Sequence, residues 1–152
     1  MKGSGWTLAV GTCILVLASE IGAQERPQNG VVAAQRSTGM GVYSREQWLR
    51  GRDVYAGFCA GCHPAVTHVG PQFTTSWAGK RLSELYGFMR ERMPKNDPGG
   101  LSEEEYVDVI TYILRLNGMP VGVEELPVDS VALARIRIDS SRVAPPAPGR
   151  ER

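Results

Sequence analysis

The stretch that decides the fold is "GRDVYAGFCAGCH", residues 51–63. It holds Cys59, Cys62 and His63 close together at its C-terminal end. The segment ahead of the first cysteine is typical of a helix, because apolar residues recur on one face and a capping box begins at Ser44. The sequence therefore predicts a helix that begins just after Ser44 and ends at two thiols and an imidazole.

Two cysteines at this spacing permit three kinds of site: a redox-active dithiol, part of a zinc site, or a haem attachment site. A thioredoxin-type dithiol needs a βαβ context, and the sequence has no convincing strand pattern. A structural zinc ion needs four ligands. The candidates are crowded into one short stretch: Cys59, Cys62, His63 and His68. Haem attachment requires a histidine directly after the second cysteine, and His63 stands there. The motif therefore predicts one haem c, attached covalently through Cys59 and Cys62, with His63 as a ligand of the iron.

The N-terminus has the pattern of a secretory signal peptide over residues 1–23. Lys2 provides a positive start, a mostly apolar run follows over residues 6–18, and small residues precede the expected cleavage site. The run is short for a membrane span, and an uncleaved anchor is the alternative. We therefore expect a periplasmic protein without stable membrane insertion after cleavage, in which Cys13 is removed with the signal.

The composition of the mature chain divides it into three parts. Residues 24–42 are rich in Gly, Gln and small residues and predict a flexible N-terminal arm. Residues 43–138 contain the helical patterns and predict one all-α domain of three to four helices, whose C-terminal part wraps over it. Residues 139–152 are rich in proline and predict a disordered tail.

Two further long helices are predicted inside the domain. One lies in residues 79–93 and ends before Pro94, because the residue ahead of a proline is disfavoured in the α region. The other lies in residues 101–118, with a capping box at Ser102 and a final glycine as its stop signal. A loop is predicted between the haem motif and the first of these helices, and a short helix is predicted near Asp129.

The iron needs a second protein ligand if its other face is to be closed, and a methionine thioether favours ferrous iron and raises the potential. The other three methionines of the mature chain have different settings. Met40 lies in the predicted arm, Met89 lies at a core position of a predicted helix, and Met119 lies beyond the stop signal of the last long helix. Met93 lies at the end of its predicted helix, far enough along the chain from His63 to reach the other face of a haem. We therefore predict His63 and Met93 as the two metal ligands, and His68 as a surface or loop histidine.

These motifs and the residues after them resemble the class I cytochromes c. The haem motif is followed by Gly-Pro, a tryptophan, Met-Pro and a capped helix that carries Tyr112. The resemblance covers about residues 43–138 and implies the class I fold around one covalently bound haem. In that family a glycine and an aromatic residue of the first helix pack on the last helix, which implies that Gly51 and Tyr55 face Tyr112.

The resemblance also implies further haem contacts. The family's proline uses its carbonyl to hold the second nitrogen of the histidine ligand, which implies a bond between Pro71 and His63. Trp77 stands where the family has an aromatic residue that lines the haem, although a plain core tryptophan is the alternative. A narrower likeness over residues 93–127 is to the cytochrome c domains that accompany dehydrogenases dependent on pyrroloquinoline quinone.

The resemblance implies an electron carrier and not an enzyme. Expected partners are a periplasmic dehydrogenase, including the quinoprotein type, and another cytochrome or a terminal oxidase. Nucleic acid is not expected, because 17 Lys and Arg residues are matched by 16 Asp and Glu residues. The alternative is a haem subunit of an oxidoreductase with a five-coordinate iron that is catalytic or binds a gas. Met93 decides between the two.

Overall fold

A computed structural model describes residues 35–142; the predicted signal peptide, most of the predicted arm and most of the predicted tail lie outside these residues. The described chain has five α-helices, α1 to α5: Arg45–Phe58, Pro71–Trp77, Leu82–Arg92, Glu103–Leu116 and Ser130–Leu133. It also has two 3-10 turns and two short strands: Thr38–Met40, Ala65–His68, β1 Arg36–Ser37 and β2 Ile136–Arg137. None of these helices has the length and apolar character that a membrane span requires. The all-α prediction is confirmed for this part of the chain.

The starts of α1 and α4 follow from local capping. Ser44 Oγ accepts a hydrogen bond from the Gln47 N–H at 3.1 Å. Ser102 and Glu105 bond reciprocally, each side chain accepting from the other's backbone N–H, at 3.2 Å and 2.8 Å. These bonds satisfy N–H groups that have no partner inside their helices. The predicted helix starts are confirmed, as is the short helix capped by Asp129.

Helix α2 lies where the sequence predicts a loop. Pro71 is its first residue, a position where the missing N–H is not needed and the fixed φ suits a helix. Gly70 precedes it with a φ of 69°, so the chain turns there before the helix begins. The glycine and proline are therefore a helix start. The consequence for the fold is that α2 places Phe73 in the core.

Helices α1 and α4 make the most extensive helix pair of the described fold, and their backbones lie very close together at Gly51. A Cβ atom at Gly51 would collide with the backbone carbonyl of Asp108 on α4. Further along the same two helices, the rings of Tyr55 and Tyr112 lie 5.2 Å apart. The predicted contact of Tyr55 with Tyr112 is therefore confirmed, and Gly51 packs on the same helix but faces Asp108.

The two ends of the described chain are joined to each other. Strands β1 and β2 pair in parallel. The Asp139 carboxylate accepts hydrogen bonds from Ser37 Oγ at 2.8 Å and from the Gly39 N–H at 2.6 Å. The Asp139 N–H donates to Thr38 Oγ1 at 2.9 Å, and Thr38 is fully buried. The packed region thus extends beyond the predicted limits of residues 43–138 on both sides, because arm and tail satisfy each other's polar groups.

An ion network joins α1, α4 and the segment that follows α4. Arg50 makes two bonds to the Asp108 carboxylate, at 2.8 Å and 3.1 Å, and two bonds of the same lengths to Glu125. Asp108 is only 7% exposed, so the guanidinium compensates a charge that burial would otherwise penalise. Glu125 is half exposed. The hydrogen bond from Arg50 lowers the pKa of Glu125 below its ordinary value.

The close approach of α1 and α4 predicts that Gly51→Ala strongly destabilises the protein. The added methyl group meets backbone, which cannot rotate away, so we expect the free energy of unfolding to fall by about 3 kcal/mol. Urea denaturation followed by circular dichroism measures this. The control is Gly57→Ala on the same helix, where a Cβ meets nothing within 4 Å. Because alanine is the better helix former, that variant should gain about 0.5–1 kcal/mol, and equal losses in both variants would contradict the tight crossing.

The Arg50 network predicts a pH-dependent contribution from Glu125. Its folded pKa lies below the ordinary value of 4.5, so the stabilisation is complete above pH 4.5 and is lost as the pH falls through the folded pKa. Glu125→Gln should lower the free energy of unfolding at pH 7 by no more than about 1 kcal/mol, because the pair is half exposed. The difference from wild type should vanish in acid. Glu124→Gln is the matched control, and an equal pH dependence there would contradict the assignment.

Candidate functional site

A cavity of about 670 Å³ lies among α1, α2, α3 and α4. Its wall is mostly apolar and aromatic, and within the described chain Lys95 is its one side chain of fixed charge. Five of the six residues predicted for the site line it: Cys59, Cys62, His63, Trp77 and Met93. The size and the apolar wall with a few polar groups are typical of a pocket for an organic ligand or cofactor.

The end of α1 places the two cysteines and the histidine. The Cys59 N–H still bonds to the Tyr55 carbonyl at 2.9 Å, as the last bond of the helix. The N–H groups of Cys62 and His63 then both bond to the Cys59 carbonyl, at 3.1 Å and 2.9 Å. This compact turn brings all three side chains to the cavity. The two thiols are not joined in a disulfide, and burial raises the pKa of the Cys59 thiol.

Tyr55 fixes the backbone at His63. Its hydroxyl donates to the His63 carbonyl at 2.5 Å, and its ring is almost fully buried between α1 and α4. Burial raises the pKa of Tyr55 to about 12, so the hydroxyl keeps its proton and remains a donor at neutral pH. The helix pair that forms the core therefore also holds the residue predicted to ligate the iron.

His68 lies closer to the site than the sequence predicts. It ends the 3-10 turn after the haem motif, and its half-buried ring lies 5.2 Å from the ring of His63 and 6.0 Å from that of Tyr55. Burial, with a smaller effect from His63, lowers the pKa of His68. The residue belongs to the cavity wall and not to the outer surface, because the turn folds back toward α1.

Asn117 holds this turn against the end of α4, a role that sequence reasoning missed. The side chain is fully buried. Its amide oxygen accepts from the Gly70 N–H at 3.0 Å, and its amide nitrogen donates to the carbonyls of His68 at 2.7 Å and Ile113 at 2.9 Å. The stop signal at the end of α4 was visible in the sequence, but the side-chain bonds depend on tertiary contacts.

Met93 is the residue that ends α3. Its N–H bonds to the Met89 carbonyl at 2.8 Å, and its own carbonyl accepts from the buried Tyr106 hydroxyl at 2.6 Å. Met89 also lines the cavity, from within α3. The remaining two methionines of the described chain bond elsewhere through sulfur: Met40 to the Ser37 N–H and Met119 to the Thr38 hydroxyl.

Trp77 lines the cavity, whereas Pro71 does not. The Trp77 ring lies 5.4 Å from that of Phe88, a cavity residue that the sequence did not single out, and Lys80 Nζ lies 4.8 Å from the Trp77 ring centre. Pro71 lies at the start of α2 and is not among the lining residues. Within residues 35–142 there is no hydrogen bond between it and the His63 ring, so the contact implied by the family stays a prediction.

The residues of this cavity fit a covalently bound haem. The wall supplies two free thiols, two imidazoles (His63 and His68) and two thioethers (Met89 and Met93), and thiols, imidazoles and thioethers are the groups that attach and ligate haem in cytochromes c. The rest of the wall is largely apolar, which suits a macrocycle. The residues that sequence reasoning missed, such as Phe73 and Phe88, are part of this apolar wall and have no motif of their own.

The helical fold and the cavity have the arrangement expected of a cytochrome c domain. Residues 46–113 match the family model described as cytochrome C oxidase, cbb3-type, subunit III. The match runs from the first turn of α1 into the last turn of α4 and includes all six predicted site residues. The match covers less than half of the chain and supports a class I cytochrome c domain there, a kind of domain that binds haem and transfers electrons. No curated protein and no solved structure matches the chain.

The bonds of Asn117 predict that Asn117→Ala destabilises the protein. The variant leaves the Gly70 N–H and the His68 carbonyl without their partner in a buried place, so the free energy of unfolding should fall by about 2–3 kcal/mol. Urea denaturation measures the loss, and faster amide exchange at Gly70 localises it. Asn96→Ala, at an exposed asparagine of the same cavity rim, should change neither quantity. A stable Asn117→Ala protein with a protected Gly70 amide would contradict the role.

Proposed function

We propose that this protein is an exported monohaem c-type cytochrome that transfers single electrons, with His63 and Met93 as the ligands of its iron. The observation that carries the proposal is the meeting of four groups in one apolar cavity: Cys59, Cys62, His63 and Met93. They come from two separate segments, the turn after α1 and the end of α3. The sequence predicts all four residues, and in the fold all four line the same cavity.

Cys59 and Cys62 would attach the haem. Each thiol would add across one vinyl double bond, its sulfur bonding to one carbon and its hydrogen going to the other, so the attachment would need no oxidant. The compact turn holds the two thiols in place, because the N–H groups of Cys62 and His63 both bond to the Cys59 carbonyl. The bound haem supplies the one-electron chemistry.

The two proposed ligands would set the character of the iron. His63 offers an imidazole whose backbone is held by Tyr55, and Met93 offers a soft thioether, which favours ferrous iron and raises the reduction potential. With both residues as ligands, the iron would have no open position for a substrate. Within the described chain we assign no residue as a catalytic acid, base or nucleophile.

The proposed partners are a donor and an acceptor of electrons outside the cytoplasm. The donor would be a periplasmic dehydrogenase, with a quinoprotein among the candidates. The acceptor would be another cytochrome or a terminal oxidase, and the oxidase subunit named by the matching family model supports the second of these. Such redox encounters usually bury little surface and are weak, so a stable complex is not required.

Met93→Ala tests the carrier function directly. In the protein produced with a haem maturation system, we expect the variant to lose the far-red charge-transfer band of the oxidised state. Its reduction potential should fall by on the order of 0.1 V, within the roughly 0.8 V range that axial ligands span. Absorption spectra and potentiometric titration measure both. Met40→Ala is the matched control, because that methionine is 64% exposed and does not line the cavity.

Two other results would contradict the proposal. A pyridine haemochrome assay without a c-type signal would exclude haem attachment at Cys59 and Cys62. A resting wild-type protein with high-spin, five-coordinate iron would instead favour the catalytic or gas-binding subunit.

A further inference from the structure

The turn that follows Met93 is anchored to the core by one buried hydroxyl. Residues 95–100 are exposed, and the turn contains two local backbone bonds, from Asp97 to Pro94 at 2.9 Å and from Gly100 to Asp97 at 3.0 Å. Neither of these local bonds reaches another element. Tyr106 connects the turn to α4. Its hydroxyl donates to the Met93 carbonyl at 2.6 Å and accepts from the Gly99 N–H at 3.1 Å.

The geometry makes Tyr106 a clamp across this turn. Its side chain is 1% exposed, so its hydroxyl competes little with water for either partner. The hydroxyl donates its hydrogen to Met93, where the turn begins, and a lone pair of the same oxygen accepts from Gly99, near the end of the turn. The single hydroxyl oxygen of Tyr106 therefore limits the distance between Met93 and Gly99, and it belongs to the largely buried helix α4.

We propose that Tyr106 is the positioning residue for Met93, holding its backbone so that the thioether stays available to the iron. The inference rests on the proposed function, since it takes Met93 as the ligand. Met93 is at the point where α3 ends, and only its N–H continues the helical bonding. Without the Tyr106 hydroxyl, the carbonyl side of Met93 and the turn after it lose their bonds to α4. Met93 then dissociates from the iron more readily.

Tyr106→Phe removes the hydroxyl and keeps the ring, so it tests the inference with little change in packing. Added imidazole competes with a methionine ligand, and we expect its apparent affinity for the ferric holoprotein to rise about tenfold in the variant. Amide exchange at Gly99 in the ferrous holoprotein should also accelerate about tenfold, because its acceptor is gone. Spectral titration and nuclear magnetic resonance measure the two effects.

Tyr86→Phe is the matched control. Tyr86 is also buried and its ring lies 6.4 Å from that of Tyr106, but the bonds to the Met93 carbonyl and the Gly99 N–H are made by Tyr106 and not by Tyr86. We expect wild-type imidazole affinity and wild-type exchange at Gly99 in this variant. If both variants raise the imidazole affinity equally, the effect is a general loosening between α3 and α4 and the inference is overturned.

Met93→Ala separates failure of the inference from failure of the proposed function. If Met93→Ala raises the imidazole affinity and Tyr106→Phe does not, the ligand stands and the inference is overturned alone. If Met93→Ala leaves the spectrum and the affinity unchanged, Met93 is not the ligand, and the inference and the proposed function are both overturned.

Should Tyr106→Phe fail to fold, an experiment on the wild-type holoprotein tests the inference instead. Saturating imidazole should expose the Gly99 amide, and unchanged exchange there overturns the inference.

Discussion

The contact of Gly51 with the Asp108 carbonyl is the constraint on which the rest of this structure depends. It lets the backbones of α1 and α4 approach more closely than any side chain would allow. The approach packs the Tyr55 ring against Tyr112, and the hydroxyl of this packed ring donates to the His63 carbonyl. The packing of two helices is thereby converted into a fixed position for the residue that would ligate the iron.

Helix α4 carries this constraint to both sides of the cavity. Near its start, Tyr106 bonds to the Met93 carbonyl; just beyond its end, Asn117 bonds to the turn that contains His68 and Gly70. The two turns follow different helices and would otherwise move independently. Because one helix holds both turns, the spacing between these two anchor points follows the length of α4.

How much the sequence predicts depends on whether a feature is local. The caps at Ser44 and Ser102 and the haem motif depend on neighbouring residues, and they could be located without coordinates. The exchange of bonds between Asp139 and the segment around Thr38 joins residues about a hundred positions apart. Composition alone could not show these bonds and predicted a flexible arm there. Helix α2 shows a third case, because a glycine and a proline have the same appearance at a helix start and in a loop.

The contacts that hold the cavity have a common chemistry. Three neutral side chains make these contacts, each by hydrogen bonds to backbone atoms: Tyr55, Tyr106 and Asn117. The charged network of Arg50 joins α1 to α4 and to Glu125, and it contributes no residue to the cavity wall. In a pocket of low polarity a fixed charge would interact strongly with an iron that gains and loses an electron. Neutral hydrogen bonds position the ligand-bearing segments without adding such a charge. Under the proposed function, the potential of a bound iron would then depend mainly on the proposed ligands His63 and Met93, with Lys95 as the one fixed charge of the wall within the described chain.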